Sequence, residues 1–121
     1  MDIEFKSSPI GGRGVFAKKD FKRGEVIEIC PVLIMSSEDA DLIEKTMLTD
    51  YYFIWQRTRI AICLGMGSLY NHSYTSNATF KRDFKNGVII FRAVKPIKAG
   101  EEICTNYNGN SRDQSKVWFH K

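Results

Sequence analysis

Several features that mark common functional classes are missing from this chain of 121 residues. Its three cysteines, Cys30, Cys63 and Cys104, form no CxxC pair, which argues against a zinc site and against a disulfide framework. No apolar run approaches the roughly 18 residues that a membrane span requires. The first residues also lack the apolar stretch of a signal peptide. We therefore expect a soluble, intracellular protein without a metal and without a membrane partner.

The chain also has no concentrated block of positive charge. Its 18 Lys and Arg residues are scattered singly or in pairs, and the net charge is only +4. A nucleic-acid tail usually carries a run of basic residues, so no direct nucleic-acid partner is expected. A small RNA-binding β domain that uses Phe80, Phe84 and Phe91 is a further class to consider, but it would need a basic face that the sequence does not supply.

What the sequence does contain is typical of a folded domain that is mainly β. Its length suits one domain over residues 1–121, and 43% of the residues are hydrophobic. Asn86 and Gly87 lie between two β-prone runs and predict a hairpin. Serines followed by acidic residues predict a short helix over 36–46. Strands are predicted at residues 3–6, 15–17, 26–35, 51–55, 60–64, 78–84, 88–93 and, after a turn, near 103.

One segment of the chain occurs twice. The pattern Ala-x-Lys-x-Phe-Lys-x-Gly-Glu-x-Ile over residues 17–27 returns over residues 93–103, with Ile in place of Phe. Both copies could simply use the same turn chemistry, with Lys before the glycine and Glu after it. We expect two similar hairpin units that lie together in space, whereas two copies are too few for a solenoid.

Three irregular polar segments interrupt the β pattern, at residues 11–14, 70–77 and 104–108. Judged locally, the glycines form a tight turn, the asparagines bond their own backbone, and His72 is a partly buried histidine. The first segment does not match the dinucleotide-binding fingerprint, because no third glycine follows at the required spacing.

Taken together, these segments carry a family resemblance. Residues 12–17 (Gly-Arg-Gly-Val-Phe-Ala), residues 71–73 (Asn-His-Ser) followed by Asn77, and residues 100–108 (Gly-Glu-Glu-Ile-Cys-Thr-Asn-Tyr-Asn) resemble, in order and spacing, the motifs of SET-domain protein lysine methyltransferases. The resemblance runs from about residue 3 to residue 107. Its length is similar to that of a minimal SET domain of bacteria or large DNA viruses.

The resemblance implies a β-clip fold of small sheets, one or two short helices, and a knot-like C-terminal crossing that brings Asn71 close to Tyr107. It also implies S-adenosyl-L-methionine as the methyl donor. The implied cofactor-binding residues include the backbone of the glycine segment, the Asn71 side chain at the amino-acid end, and the His72 backbone near the adenine. We expect the His72 imidazole to be neither a base nor a metal ligand. The cofactor-binding residues predicted in this way are Gly12, Arg13, Gly14, Asn71, His72 and Trp118.

Tyr107 corresponds to the active-site tyrosine of the family. We expect its hydroxyl to orient and polarise, because an unshifted tyrosine is protonated at neutral pH. The substrate channel is assigned to Tyr51, Tyr52 and Thr105. Thr105 replaces the Phe or Tyr that is usual two positions before the tyrosine, and this smaller side chain suggests room for di- or trimethylation.

Other departures from the family concern the cofactor side. Tyr74 and Ser76 replace a Cys and a Pro of the common pattern, and we expect the cofactor contacts to survive these changes. The cysteine-rich zinc segment that follows many SET domains is absent, so Trp118 and Phe119 could supply the missing wall.

The sequence thus favours a methyltransferase that acts on lysine in a protein or peptide, with a histone tail as one candidate. A catalytically silent SET-like module that binds a peptide or protein is the alternative. An open cofactor side leaves a homodimer as one option for the oligomeric state.

Overall fold

The computed structural model describes residues 1–108, and within them the chain forms nine strands, one short α-helix and one 3₁₀ turn. In chain order the elements are β1 (Ile3–Ser7), β2 (Arg13–Ala17), β3 (Val26–Met35), α1 (Ser37–Ile43), the 3₁₀ turn (Met47–Asp50), β4 (Phe53–Ile54), β5 (Ile60–Cys63), β6 (Asn71–His72), β7 (Ala78–Asp83), β8 (Val88–Ala93) and β9 (Glu102–Thr105). The prediction of a mainly β protein with short helices is confirmed.

The strands are hydrogen-bonded in the order β1-β2-β9-β7-β8-β3-β5-β4, and β6 pairs with β9 outside this path. Strand β9 follows all the others in sequence, yet it lies between β2 and β7. Its pairing with β2 is antiparallel, whereas its pairings with β6 and β7 are parallel. Because β9 contacts three strands, it joins the N-terminal part of the sheet to the rest.

Local sequence signals explain several elements. The predicted hairpin is confirmed: β7 pairs with β8, and Gly87 adopts a positive φ of 65° at the end of the turn. The Asp83 carboxylate accepts hydrogen bonds from the backbone amide and side chain of Asn86, at 3.1 and 2.8 Å. Helix α1 begins after Ser36, whose hydroxyl accepts from the Asp39 amide at 3.2 Å. It ends earlier than predicted, because Thr46 already caps the following 3₁₀ turn.

Aromatic side chains fill the centre of the core. Phe91 is fully buried, and its ring stacks on Tyr70 with the centroids 4.4 Å apart. Phe53 packs edge-on against Phe80 at 5.2 Å. Because Phe80 and Phe91 are core residues, they offer no surface on which a base could stack. Of the three rings that the RNA-binding alternative would use, only Phe84 is exposed.

The two copies of the repeated segment do lie together, as predicted. Equivalent positions exchange equivalent backbone hydrogen bonds, so the copies are related by an approximate twofold axis. The amide donors and their carbonyl acceptors are Gly24 with Ala93 (2.8 Å), Gly100 with Ala17 (2.8 Å), Phe21 with Ile97 (2.7 Å) and Ile97 with Phe21 (2.9 Å). The contact ties the region before β3 to the region before β9.

Candidate active site

A cavity of about 660 Å³ opens where the three polar segments meet. This volume lies within the roughly 300–1,000 Å³ that is usual for small-molecule sites. The residues that line it are Gly11, Gly12, Arg13, Asp50, Tyr51, Ser68, Leu69, Asn71, His72 and Tyr107. The cavity therefore collects residues from the start, the middle and the end of the described chain.

Strand pairing brings the middle and last segments together. Asn71 and His72 in β6 lie opposite Cys104 and Thr105 in β9. The buried Asn77 side chain fixes this crossing, because it accepts from the Cys104 amide and donates to the Glu102 carbonyl, each at 2.9 Å. The predicted approach of the chain near residue 71 to the chain near residue 107 is confirmed.

Tyr107 is held at the cavity by two hydrogen bonds. Its hydroxyl donates to the Tyr70 carbonyl at 2.6 Å, and its backbone amide donates to His72 Nδ1 at 3.0 Å. Burial raises the pKa of the Tyr107 hydroxyl, and the nearby Cys104, Tyr51 and Glu102 raise it further. The hydroxyl is therefore protonated at neutral pH, which suits a group that orients a partner and does not suit a base.

The His72 imidazole has a structural task. Because Nδ1 accepts from the Tyr107 amide, the ring is neutral and carries its proton on Nε2. Burial lowers the pKa of His72, which favours the same neutral form. The ring lies edge-on to Tyr74, with the centroids 4.4 Å apart. Within residues 1–108, buried Nε2 has no hydrogen-bond partner.

The Asn71 side chain is oriented by acceptors that surround its amide nitrogen. Nδ2 lies 2.8 Å from Glu102 Oε2, 3.2 Å from the Arg13 carbonyl and 3.4 Å from the Gly11 carbonyl. Asn71 thereby links the glycine segment to β9 at the wall of the cavity.

Gly12 and Gly14 of the first segment lie in different structural environments. Gly12 lines the cavity, has a positive φ of 52°, and has open space where a side chain would project. Gly14 lies buried in β2, and it is not among the lining residues. A Cβ on Gly14 would overlap Glu102 Oε2 and would stand 2.9 Å from Asn71 Nδ2. A side chain at position 14 would therefore displace Glu102 and Asn71, and the predicted contact of Gly14 with a cofactor stays a prediction.

The residues predicted for the substrate channel do not all reach the cavity. Tyr51 lines it. Tyr52 is buried beneath α1, where its hydroxyl donates to Glu44 Oε1 at 3.2 Å, and it is not among the lining residues. Thr105 is buried in β9 and does not line the cavity either. Trp118, which was predicted to contact the cofactor, lies outside the described residues, as does Phe119.

Two acidic residues, Glu102 and Glu28, support the site from outside the cavity and were not predicted as site residues. Glu102 contacts both Asn71 and Ser8. Glu28 accepts from the Tyr70 hydroxyl at 2.8 Å and from the Met66 amide at 3.0 Å, so it anchors the loop that carries the Tyr70 carbonyl. A lone acidic residue in an apolar strand was the available signal for Glu28.

Within residues 1–108, no group of three or more His, Cys, Asp or Glu side chains could hold a metal ion. In the same residues, no helix is long and apolar enough to cross a membrane. The three cysteines of this part are buried free thiols. Burial raises the pKa of Cys104 to about 12, so this thiol remains protonated at neutral pH.

Comparison with known proteins identifies the family and the fold. The family model of the SET domain matches residues 12–108, and the chain therefore belongs to the SET-domain family. The resemblance drawn from the three motifs is confirmed.

Two of the curated relatives have names that state an enzymatic activity. A protein of Schizosaccharomyces pombe, named a histone-lysine N-methyltransferase specific for H3 lysine 37, is 32% identical over 97% of this chain and 76% of its own length. A protein of Xenopus tropicalis, named an N-lysine methyltransferase, is 31% identical over 86% of this chain and 35% of its own length. Both names agree with the predicted enzyme class.

Solved structures confirm the SET fold. A candidate histone methyltransferase of Plasmodium falciparum superimposes with a TM-score of 0.71 at 31% identity, over 88% of this chain and 92% of the other. A Chaetomium thermophilum Polycomb Repressive Complex 2 bound to S-adenosylmethionine gives a TM-score of 0.73 at 23% identity, over 87% of this chain and 15% of the other.

Proposed function

We propose that this protein is an S-adenosylmethionine-dependent methyltransferase that acts on the side chain of a protein lysine. The observation that carries the proposal is Tyr107: its hydroxyl and its backbone are both fixed, and it faces a cavity lined by Gly12 and Asn71. The names of the curated relatives support this activity.

The lining residues fit the proposed cofactor. Gly11 and Gly12 leave open space where side chains would project, so a ligand can approach the backbone closely. Asn71 donates through its nitrogen to groups of the chain, which leaves its oxygen as an acceptor for a ligand ammonium group. S-adenosylmethionine supplies a methyl group activated by a sulfonium centre. Gly12, Arg13, Asn71 and His72 would hold it, and Trp118 is proposed as a further contact.

The remaining chemistry is the positioning of a neutral lysine. Removing the proton from a free lysine near pH 7 costs about 4–5 kcal/mol, given a free pKa of about 10.4. A partly buried wall that includes Tyr51 and Tyr107 lowers that cost, because desolvation disfavours the ammonium form. The protonated Tyr107 hydroxyl then aligns the reacting groups, and exclusion of water supports the in-line displacement.

The substrate is proposed to be a basic peptide segment such as a histone tail, because one relative is named for histone lysine and the other for lysine. Thr105 pairs with His72 of β6 and does not line the cavity, so the proposal of more than one methyl per lysine rests only on the small size of its side chain.

The test is transfer of labelled methyl from S-adenosylmethionine to a mixture of core histones and cell extract. Tyr107→Phe should lower the rate by about 100-fold or more, as expected when a positioned hydroxyl is removed. Tyr52→Phe is the matched control, since it removes a hydroxyl that lies away from the cavity, and its rate should stay within about twofold of the parent. Full activity of Tyr107→Phe would overturn the role of this residue.

A catalytically silent peptide-binding module is the second candidate. It predicts peptide binding without any methyl transfer, and a Tyr107→Phe variant that binds peptide as the parent does. Mass spectrometry of the peptide after incubation with the cofactor separates the two candidates.

A further inference from the structure

We propose that Glu102 is a positioning residue that sets the orientation of the Asn71 side-chain amide and, through it, the affinity for the cofactor. This inference rests on the proposed function, because it concerns how the methyl donor is held. It adds a residue that contacts neither the cavity nor the reacting atoms.

The Glu102 carboxylate is fixed at both oxygens. Oε1 accepts from the Ser8 hydroxyl at 2.6 Å, and Oε2 accepts from Asn71 Nδ2 at 2.8 Å. The carboxylate is partly buried and crosses the face of β2 at Gly14, where a Cβ would collide with it. Its place is therefore determined by the N-terminal loop on one side and by β2 on the other.

This arrangement permits only one orientation of the Asn71 amide. The nitrogen has three acceptors near it, namely Glu102 Oε2 and the carbonyls of Gly11 and Arg13. If the amide were turned over, its oxygen would face three other oxygens without a proton between them. The strongest of the three contacts is the one to the charged carboxylate, because hydrogen bonds to an ionised group are the shorter and stronger ones.

The orientation matters because Asn71 lines the cavity. With the nitrogen turned toward Glu102, the amide presents its oxygen as the group that is left to accept a hydrogen bond. A ligand that carries a primary ammonium group matches this acceptor. Loss of the Glu102 acceptor would remove the strongest of the three contacts, so the turned-over amide would be populated more often and the ligand would have to select the productive orientation.

A competing explanation is that Glu102 acts through its negative charge alone, by attracting a cationic ligand. The two explanations differ in their prediction for Glu102→Gln, which removes the charge but keeps an acceptor oxygen. They also differ for S-adenosylhomocysteine, which keeps the ammonium group but lacks the positive sulfur.

The experiment measures Kd by calorimetry for S-adenosylmethionine and for S-adenosylhomocysteine. Glu102→Met removes the acceptor and should raise both Kd values by about 10-fold, whereas Glu102→Gln should restore both to within about threefold of the parent. At saturating cofactor, kcat of Glu102→Met should remain within about twofold. Glu101→Met is the matched control, since Glu101 is an exposed neighbour that caps the turn at Lys98, and it should leave both Kd values unchanged.

A double-mutant cycle with Asn71→Ala tests the route of the effect. In the Asn71→Ala background, Glu102→Met should cause no further loss of affinity, because the amide to be oriented is gone. Additive losses would overturn the proposal, as would equal losses in Glu102→Gln and Glu102→Met, or a loss confined to S-adenosylmethionine.

If Glu102→Met fails to fold, Ser8→Ala replaces it in the same cycle, since this change releases the other carboxylate oxygen. A smaller loss of affinity that vanishes in the Asn71→Ala background supports the proposal, and an unchanged Kd refutes it. A parent protein that binds neither ligand would instead refute the proposed function itself.

Discussion

The neutral state of His72 makes the stability of this fold depend on pH. His72 Nδ1 can accept from the Tyr107 amide only while it carries no proton, and burial lowers the pKa of the ring. A histidine of the unfolded chain titrates near pH 6.5. Below that pH the unfolded chain therefore binds more protons than the folded chain, and the free energy of unfolding falls as the pH falls.

The sign and size of the effect follow from linkage. The stabilisation is fully present above about pH 6.5 and is lost as the pH drops through the lowered pKa of the folded state. One group contributes a slope of at most about 1.4 kcal/mol per pH unit in that window. His72 is partly exposed, so solvent screening reduces the slope. We expect the free energy of unfolding to fall between pH 7.5 and pH 5.5, by less than this limiting slope of about 1.4 kcal/mol per pH unit.

Urea denaturation at several pH values between 5.5 and 7.5 measures this slope. His72→Asn offers a side-chain oxygen close to the position of Nδ1 and does not titrate, so its free energy of unfolding should be flatter across the range. His120→Asn alters the chain's other histidine, which lies outside the described residues, and is the matched control. An identical pH slope in the parent and in His72→Asn would refute the reasoning.

Two further predictions concern residues next to the site. Gly14→Ala should raise the Kd for the cofactor by about 10-fold, because the new methyl group displaces the Glu102 carboxylate and costs a charged hydrogen bond of about 1.5 kcal/mol. Calorimetry checks the Kd, and an unchanged value contradicts the steric account. Asn77→Ala should lower the free energy of unfolding by about 2–4 kcal/mol, because it leaves a buried amide and a buried carbonyl of β9 without partners. In urea denaturation the exposed Asn86→Ala should cost less than about 1 kcal/mol, and equal losses in the two variants would count against the prediction.

Local patterns were enough to predict most strands, whereas the candidate site was proposed from the family resemblance of three short motifs. The predicted strand over residues 26–35 matches β3, because its apolar run has clear turn residues before it and a helix cap after it. The polar segments of the candidate site depart from the β pattern, and their order and spacing resemble the motifs of a known family. These are properties of neighbours in the sequence, and a single chain displays them directly.

The side-chain contacts that support the site could not be predicted from the sequence in the same way. Tyr51 and Tyr52 have similar sequence surroundings, yet only the first reaches the cavity, and the second fills the small core under α1. Glu102 lies within the motif at residues 100–108, but its hydrogen-bond partner Ser8 is 94 positions away in the sequence. Which side chains meet across such a separation is decided by the order of the strands, and no local pattern encodes that order.

The central place of β9 has a consequence for how the protein gains activity. A chain made from its N-terminus produces β2 and β7 long before β9, and until then each has an unpaired edge that can join another chain. On insertion, β9 pairs with part of each edge, at Val15, Phe16 and Ala78. Through Cys104 and Thr105 it also sets Tyr107 beside His72. The pairing of both strands and the assembly of the candidate site therefore depend on the same late strand, so a chain that lacks β9 in place has neither.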